Sequence, residues 1–295
     1  MRIAILSQSP NLYSTKRLIR AIKNRGHKHC VINPYRCQIN VGAVSSLTYA
    51  EKDLSANVDL VITRIGASAT QYGLAVSEQL ESLGIPTVNA SHAIAASRDK
   101  LRSLQILARN GVAIPKTVMV RRQDKLKDAI RQIKCPAVLK LIQGTHGLGV
   151  MIAESTQSAE SMVETVWSLG KNILIQEYVA SSRDNEVRAF VIGNEVVAAY
   201  SRRSKRGEFR ANLHRGGTAS ALTLSDEDAQ LAVNAAKALG LAVAGVDLIR
   251  SSSGYKVLEV NSSPGLQGVE RVVKADVAGL MISHAVKVAK EAAHG

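Results

Sequence analysis

Three residues with hard oxygen donors, Asp247, Glu259 and Asn261, lie in two strand-like segments, AGVDLIR and YKVLEVNS. Strand side chains alternate between faces, so Glu259 and Asn261 point to the same side. A hairpin with a five-residue loop would pair Arg250 with Lys256, and that register places Asp247 opposite Glu259. Facing carboxylates and an amide predict a magnesium or manganese site, completed by phosphates and water. The alternative is an exposed hairpin with an acidic edge.

A glycine-rich segment, KLIQGTHGLGV, begins at Lys140 and lies between two predicted strands. Its glycines, Gly144, Gly147 and Gly149, let the backbone approach a ligand and direct N–H groups at phosphate oxygens. Lys140 adds a point charge for the same phosphates. Because no Gly-Lys-Ser/Thr and no helix follow, this is not a Walker A loop. Phosphate binding and a glycine-rich hairpin without a ligand both remain open from this segment alone.

A third polar segment ends an apolar strand at Glu177, Tyr178 and Val179. Free backbone groups at such a strand end can bind the edge of an adenine ring, with Glu177 accepting from its amino group. Glu186 follows within reach of ribose hydroxyls. A surface strand edge with no ligand is the alternative.

A basic segment follows, opposed within it by Glu208 alone. Opposite a metal–triphosphate it would stabilise a transferring phosphate and bind an acidic substrate. Its aromatic content is limited to Phe209, which gives poor support for stacking on nucleic-acid bases. The cations of this segment are Arg202, Arg203, Lys205, Arg206, Arg210 and Arg215.

The elements that must position these residues change character along the chain. Residues 1–95 alternate short apolar strands with helices, which predicts an α/β unit with an open, mostly parallel sheet. Ser14 is placed to cap the first of these helices. The first strand–helix turn, SQSPNL, lacks G-x-G-x-x-G, so no dinucleotide site is expected there. The remainder is richer in strands and predicts an α+β fold in two lobes.

Composition bounds the class of protein. The 295 residues are 46% hydrophobic, enough for two domains, and the formal net charge of +14 favours anionic partners. Three cysteines without C-x-x-C spacing argue against a disulfide framework and for a reducing compartment. The N-terminal segment is too short in apolar residues for a signal peptide, and no membrane-length apolar run is present. We therefore expect a cytoplasmic protein with no membrane association.

In this order the motifs resemble the ATP-grasp ligases over roughly residues 97–294. The resemblance implies an ATP-grasp fold, in which two α+β lobes clasp ATP, preceded by a small parallel-sheet α/β domain. It divides the chain into a pre-ATP-grasp domain at 1–95, an N-lobe with the glycine-rich loop at 96–179 and a C-lobe with the metal site at 180–295. Within the superfamily the chain is similar to the RimK family. The supporting segments are RIG from Arg64, RDKLR from Arg98, FRANLHRGG from Phe209 and EVNSSPG from Glu259.

The resemblance also implies roles for individual residues. Two magnesium or manganese ions are held by Asp247, Glu259 and Asn261, with Glu259 bridging. The residues implied to bind ATP are Lys100 and Lys140 at the phosphates, Gly144 and Gly147 in the loop, Glu177, Tyr178 and Val179 at the adenine, Glu186 at the ribose, and Arg210, Ala211 and Asn212 beside the γ-phosphate.

The implied activity is ATP-dependent addition of L-glutamate to the C-terminus of protein six of the small ribosomal subunit, or formation of poly-alpha-glutamate. An acyl phosphate is the implied intermediate. Arg202, Arg210 and Asn212 are the candidates for stabilising its charge. The partners implied are glutamate and an acidic peptide tail, and no direct nucleic-acid function is expected. The resemblance also implies a homo-oligomer, specifically a tetramer.

Two other functions remain open from the sequence. Another ATP-grasp ligase, acting on a carrier protein or a cofactor, would keep the same nucleotide and metal residues. A non-catalytic basic protein that binds nucleic acid or the ribosome would explain the net charge, but not the ordered motifs.

The basic segment yields a prediction. If it holds the lengthening acidic tail, replacing Arg203 and Arg206 with Ala shortens the polyglutamate product, because fewer cations retain the tail between additions. Mass spectrometry of the product checks this, and unchanged product lengths would contradict it.

Overall fold

The computed structural model describes residues 1–54, 57–142, 149–179, 186–203 and 218–292. Within these ranges the strands form a four-stranded parallel sheet and three antiparallel sheets of four, five and three strands. The strands are β1 (Arg2–Leu6), β2 (Lys28–Ile32), β3 (Cys37–Asn40), β4 (Ser46–Tyr49), β5 (Lys52–Asp53), β6 (Leu60–Thr63), β7 (Thr87–Val88), β8 (Thr117–Val118), β9 (Ala137–Leu141), β10 (Val150–Ala153), β11 (Ile173–Glu177), β12 (Glu186–Ile192), β13 (Glu195–Arg203), β14 (Thr218–Ala221), β15 (Val243–Ser251) and β16 (Gly254–Asn261).

Helices cover the sheets. They are α1 (Tyr13–Asn24), α2 (Thr70–Ser82), α3 (Ser91–Arg98), α4 (Lys100–Arg109), α5 (Gln123–Ile133), α6 (Thr156–Ser168), α7 (Asp226–Ala238), α8 (Leu266–Val272) and α9 (Val277–Ala292). In the described ranges, no helix has both the length and the apolarity needed to span a bilayer.

The first sheet has the order β2-β1-β6-β7 with all pairs parallel. Its central strands are short and almost wholly buried, as expected when helices cover both faces. The predicted α/β unit with a parallel sheet is therefore confirmed. Because the strands are parallel, the residues that follow β1, β6 and β7 meet at one edge of the sheet.

The second and third sheets are antiparallel. The second, in the order β10-β9-β11-β8, packs on α5 and α6 around a core of residues between 118 and 175. The third, in the order β14-β13-β12-β15-β16, packs one face on α7 and on α3 and α4. This mixed arrangement, with a parallel sheet followed by two antiparallel ones, agrees with the predicted fold class.

One hydrophobic core joins the first sheet to the other face of the third. Ile3, Leu18 and Ile62 from the first 95 residues pack in the same cluster as Phe190 and Met281. Phe190 lies on β12, where alternation puts it on the same face as Arg188. That face of the third sheet is thus apolar at one end, where it meets the first sheet, and charged at the other.

Some local features differ from the sequence expectations. Helix α5 had no predicted counterpart, although Leu126, Ala129, Ile130 and Ile133 form its buried stripe at helical spacing. The hydroxyl of Ser14 does not cap α1; it accepts a hydrogen bond from the backbone N–H of Leu266 at 3.1 Å. Tertiary contact with α8 has therefore replaced the local cap.

The shared core predicts a stability effect. Phe190→Ala is expected to lower the free energy of unfolding by about 3–5 kcal/mol, because Phe190 is 1% exposed and the vacated space cannot fully collapse. Urea denaturation measures the loss. Leu169→Ala is the control, since Leu169 is 70% exposed and its removal should change stability by no more than about 0.5 kcal/mol. Equal losses in the two variants would show that Phe190 does not support a shared core.

Candidate active site

The hairpin of β15 and β16 brings the predicted metal residues together. Asp247 pairs with Glu259, and Gly245 pairs with Asn261, so the predicted Asp247–Glu259 pairing is confirmed. The predicted pairing of Arg250 with Lys256 is wrong, because Arg250 pairs with Tyr255.

A β-bulge reconciles the two results. The turn is tighter than expected, with Ser251 paired to Gly254, and this shifts the register near the turn by one residue. Leu258 is the extra residue of the bulge, and it shifts the register back before Asp247. As a result, adjacent residues Leu258 and Glu259 both line a small cleft, together with Lys100 and Lys140.

Two arginines surround the Asp247 carboxylate. Arg188 donates from Nε to Oδ1 and from Nη2 to Oδ2, each at 2.5 Å, and Arg202 Nη2 lies 2.9 Å from Oδ1. The same Nη2 atom donates to Glu186 at 3.0 Å. Asn261 Nδ2 lies 3.4 Å from Oδ2 of Asp247. The carboxylate therefore has donors on both oxygens.

Strand register explains this convergence. Arg188 pairs with Asp247 across β12 and β15, and Arg202 pairs with Glu186 across β12 and β13. Directly paired residues share a face, and Glu186 and Arg188 share one because they are two apart. Arg188 was not among the predicted site residues. Its signal was a charged residue within an otherwise apolar strand.

The pKa values follow from burial and these contacts. Burial alone would raise the pKa of Asp247, but Arg188 and then Arg202 hold it below its usual range. Burial opposes the charge on Arg188, yet Asp247 raises the pKa of its guanidinium. Burial raises the pKa of Glu186, an effect that Arg202 partly offsets. The site thus keeps Asp247 ionised next to a carboxyl that resists ionisation.

Lys140 connects the second sheet to this charged face. Burial, and to a smaller extent Lys100, lowers the pKa of Lys140, while Glu259, Glu186 and Asp247 act in the opposite direction. Lys100 begins α4, whose N-terminus is capped by the side chain of Asp99. Lys100, Lys140 and the carboxylate of Glu259 therefore line one cleft between the second and third sheets.

The end of β11 is tied to the hairpin by an ion pair. Lys256 on β16 donates to the carboxylate of Glu177, and the backbone N–H of Glu177 donates to the carbonyl of Lys116 at 2.9 Å. One carboxylate oxygen of Glu177, Oε1, is thus engaged by Lys256. Lys256 was not among the predicted site residues.

Some of the predicted ATP-binding and catalytic residues are not among the residues that the structure describes. They keep the status of predictions: Gly144, Gly147, Arg210, Ala211 and Asn212.

The donor set fits a hard divalent cation. Among the described residues, no group of three or more His, Cys, Asp or Glu side chains is arranged to hold a metal ion. The hairpin instead offers two carboxylates and an amide, all with oxygen donors that suit magnesium better than zinc. Positive charge already surrounds Asp247, so a cation there requires Arg188 or Arg202 to release one of its oxygens.

The ion pair gives a stability prediction. Arg188→Met should lower the free energy of unfolding, measured with a chelator present, by about 3 kcal/mol, because Asp247 loses its bidentate partner while largely buried. Arg122→Met is the matched control, since its pair with Asp124 is exposed and should contribute no more than about 1 kcal/mol. A loss no larger than the control's would contradict the prediction.

Comparisons with known proteins agree with this architecture. The model for the RimK-like ATP-grasp domain matches residues 97–285, and that for the RimK PreATP-grasp domain matches residues 1–94. A curated relative, "Probable alpha-L-glutamate ligase 2" of Shewanella frigidimarina, is 49% identical over 284 residues, covering 96% of this chain and 95% of the relative.

Two solved structures share the fold. The RimK domain protein ATP-grasp from Sphaerobacter thermophilus has a TM-score of 0.75 and 23% identity, and the match covers 96% of this chain and 99% of that chain. The ATP-grasp ligase PsnB, complexed with a phosphomimetic variant of its minimal precursor, Mg and ADP, has a TM-score of 0.72 and 19% identity over 97% of both chains.

Proposed function

Given that this chain belongs to the RimK family of ATP-grasp enzymes and is an ATP-dependent ligase that forms amide bonds, we propose that it joins L-glutamate to a terminal carboxylate of an acidic peptide. The name of the curated relative supports glutamate as the amino acid. The observation that carries the proposal is the single cleft that Lys100 and Lys140 share with Glu259. That cleft brings two cations suited to phosphate next to one of the carboxylates proposed to hold a metal ion.

In the first step the acceptor carboxylate attacks the γ-phosphate of ATP, which gives an acyl phosphate and ADP. Lys100 and Lys140 bind the phosphates. Asp247, Glu259 and Asn261 would hold two magnesium or manganese ions, which would supply positive charge at the phosphates.

In the second step the amine of glutamate attacks the acyl carbon, and phosphate leaves as the amide forms. Arg202 is suited to stabilise the negative charge on oxygen, because its Nε is buried without a partner among the described residues. Arg210 and Asn212 are proposed for the same role. This chemistry needs no nucleophilic side chain, because the acceptor carboxylate is the nucleophile in the first step and the amine of glutamate is the nucleophile in the second.

Finer assignments belong to the same proposal. The acceptor is the C-terminal tail of protein six of the small ribosomal subunit, or a growing poly-alpha-glutamate chain. The enzyme acts in the cytoplasm as a homotetramer. Glu177, Tyr178 and Val179 form the adenine site, and Glu186 contacts the ribose. The chain works as three parts, 1–95, 96–179 and 180–295. A net charge of +14 supports an acidic acceptor.

Mass spectrometry tests the function. Wild type incubated with ATP, magnesium, glutamate and a ribosomal acceptor should add masses of glutamate residues to the acceptor. Asp247→Asn should reduce the rate about a hundredfold or more, because charge stabilisation at the phosphates is lost. The control Asp128→Asn alters an exposed carboxylate on α5 and should leave the rate unchanged.

Other outcomes separate the alternatives. Free polyglutamate formed without acceptor would indicate a peptide synthetase, and ADP release with a different amino acid would indicate another ligase of the superfamily. Full activity of Asp247→Asn would contradict the proposed site.

A further inference from the structure

Arg64 occupies the edge of the first sheet where the carboxyl ends of its parallel strands meet. It directly follows β6, and its backbone N–H donates to the carbonyl of Leu6 at 2.9 Å, which continues the ladder with β1. In open α/β sheets this edge is where ligands bind. The two proposed chemical steps do not use Arg64.

The Arg64 side chain contacts the segment that follows the hairpin of β15 and β16. Its Nη2 donates to the carbonyl of Pro264 at 2.8 Å, a contact between residues 200 positions apart in sequence. A guanidinium carries five N–H donors, so most of its capacity is not used by this bond. Within the described part of the chain no Asp or Glu forms an ion pair with Arg64, and the residue is only half-buried. A further acceptor can therefore reach it.

The surroundings of Arg64 are positively charged. Burial, and then the neighbouring guanidinium of Arg98, lowers the pKa of Arg64 to about 10. Arg98 donates to the carbonyl of Ile65, and its own pKa is lowered by burial, an effect that Glu259 opposes. Two partly buried cations thus lie near each other, and Arg98 also interacts with Glu259. An anion placed between them would be bound strongly, because solvent screens the interaction poorly.

The segment opposite Arg64 contributes hydroxyl groups. Its backbone is anchored on both sides, since Asn89 Nδ2 donates to the carbonyl of Ser262 at 2.8 Å and Arg64 donates to that of Pro264. The hydroxyls of Ser262 and Ser263 are buried without a hydrogen-bond partner among the described residues. Buried hydroxyls are costly to leave unpaired, so each is expected to pair with a polar group beyond the described residues, and a substrate can supply one.

We propose that Arg64, together with the hydroxyl-bearing Ser262–Ser263 segment, binds a carboxylate of the substrate and so selects acidic substrates. The inference rests on the proposed function, because it names the residue that recognises an anionic substrate at that site. A carboxylate is favoured over a phosphate of ATP, because the proposed function already assigns the phosphates to Lys100 and Lys140. The planar guanidinium also matches a carboxylate in a bidentate manner.

Steady-state kinetics of the full chain test this binding role. Arg64→Gln should raise KM for glutamate or for the acceptor peptide by about ten- to a hundredfold, the loss of a charge-assisted hydrogen bond, with KM for ATP unchanged. Arg64→Lys keeps the charge but not the fork, and should give a smaller increase. Arg20→Gln removes an exposed charge from the same domain and is the matched control.

The pattern of KM values identifies the carboxylate. An increase for glutamate but not for glutamine assigns the side-chain carboxylate of the amino acid. Equal increases for both assign its α-carboxylate. An increase confined to the acceptor assigns the acceptor's terminal carboxylate. Each of these supports the inference, provided that thermal melting and ATP-analogue binding show that the variants are folded.

Two results would overturn the inference. One is a fall in kcat with every KM unchanged, and the other is an effect equal to that of Arg20→Gln. Failure of the proposed function is detected separately, in wild type, as turnover with a non-acidic amino acid in place of glutamate. In that case the KM values for the preferred amino acid and for the acceptor still decide whether Arg64 binds a carboxylate.

Discussion

The charge balance around Asp247 is the constraint on which the rest of the site depends. A carboxylate that is 7% exposed requires compensation, and two guanidiniums supply it from neighbouring strands of the third sheet. Arg188 and Arg202 can do so only if β12 lies between β13 and β15, with the observed register. The order of strands in the sheet is thus tied directly to the ionisation of the central carboxylate.

The same face of the third sheet also holds the molecule together. Along β12 the side chains change from Glu186 and Arg188 to Phe190 and Ile192, all on one face. The apolar pair packs in a core shared with the first sheet. Apolar burial therefore holds the first sheet against the apolar end of this face, and Arg64 lies beside the segment that follows β16.

Contacts between the second and third sheets define the cleft that we propose for the nucleotide. Lys140 comes from β9, whereas Glu259 comes from β16, and Glu259 acts to raise the pKa of Lys140 against the effect of burial. The ion pair of Lys256 with Glu177 fixes the hairpin to the end of β11. In this arrangement, Lys140 and Glu259 approach each other without belonging to the same sheet, which suits the proposed reaction, because that reaction first brings metal and triphosphate together.

Local patterns in the sequence determined the fold class, the parallel first sheet and the pairing of Asp247 with Glu259, because strand alternation and short turns act over a few residues. The bulge at Leu258 could not be predicted from the sequence, because it depends on the length of the turn between β15 and β16. Only the tertiary structure decided that Arg188 would neutralise Asp247, 59 residues away, and that Arg64 would reach Pro264, 200 residues away. These contacts depend on the order of strands in the third sheet and on a core shared by distant segments. Neither feature produces a periodic pattern in the sequence from which the contacts could be predicted.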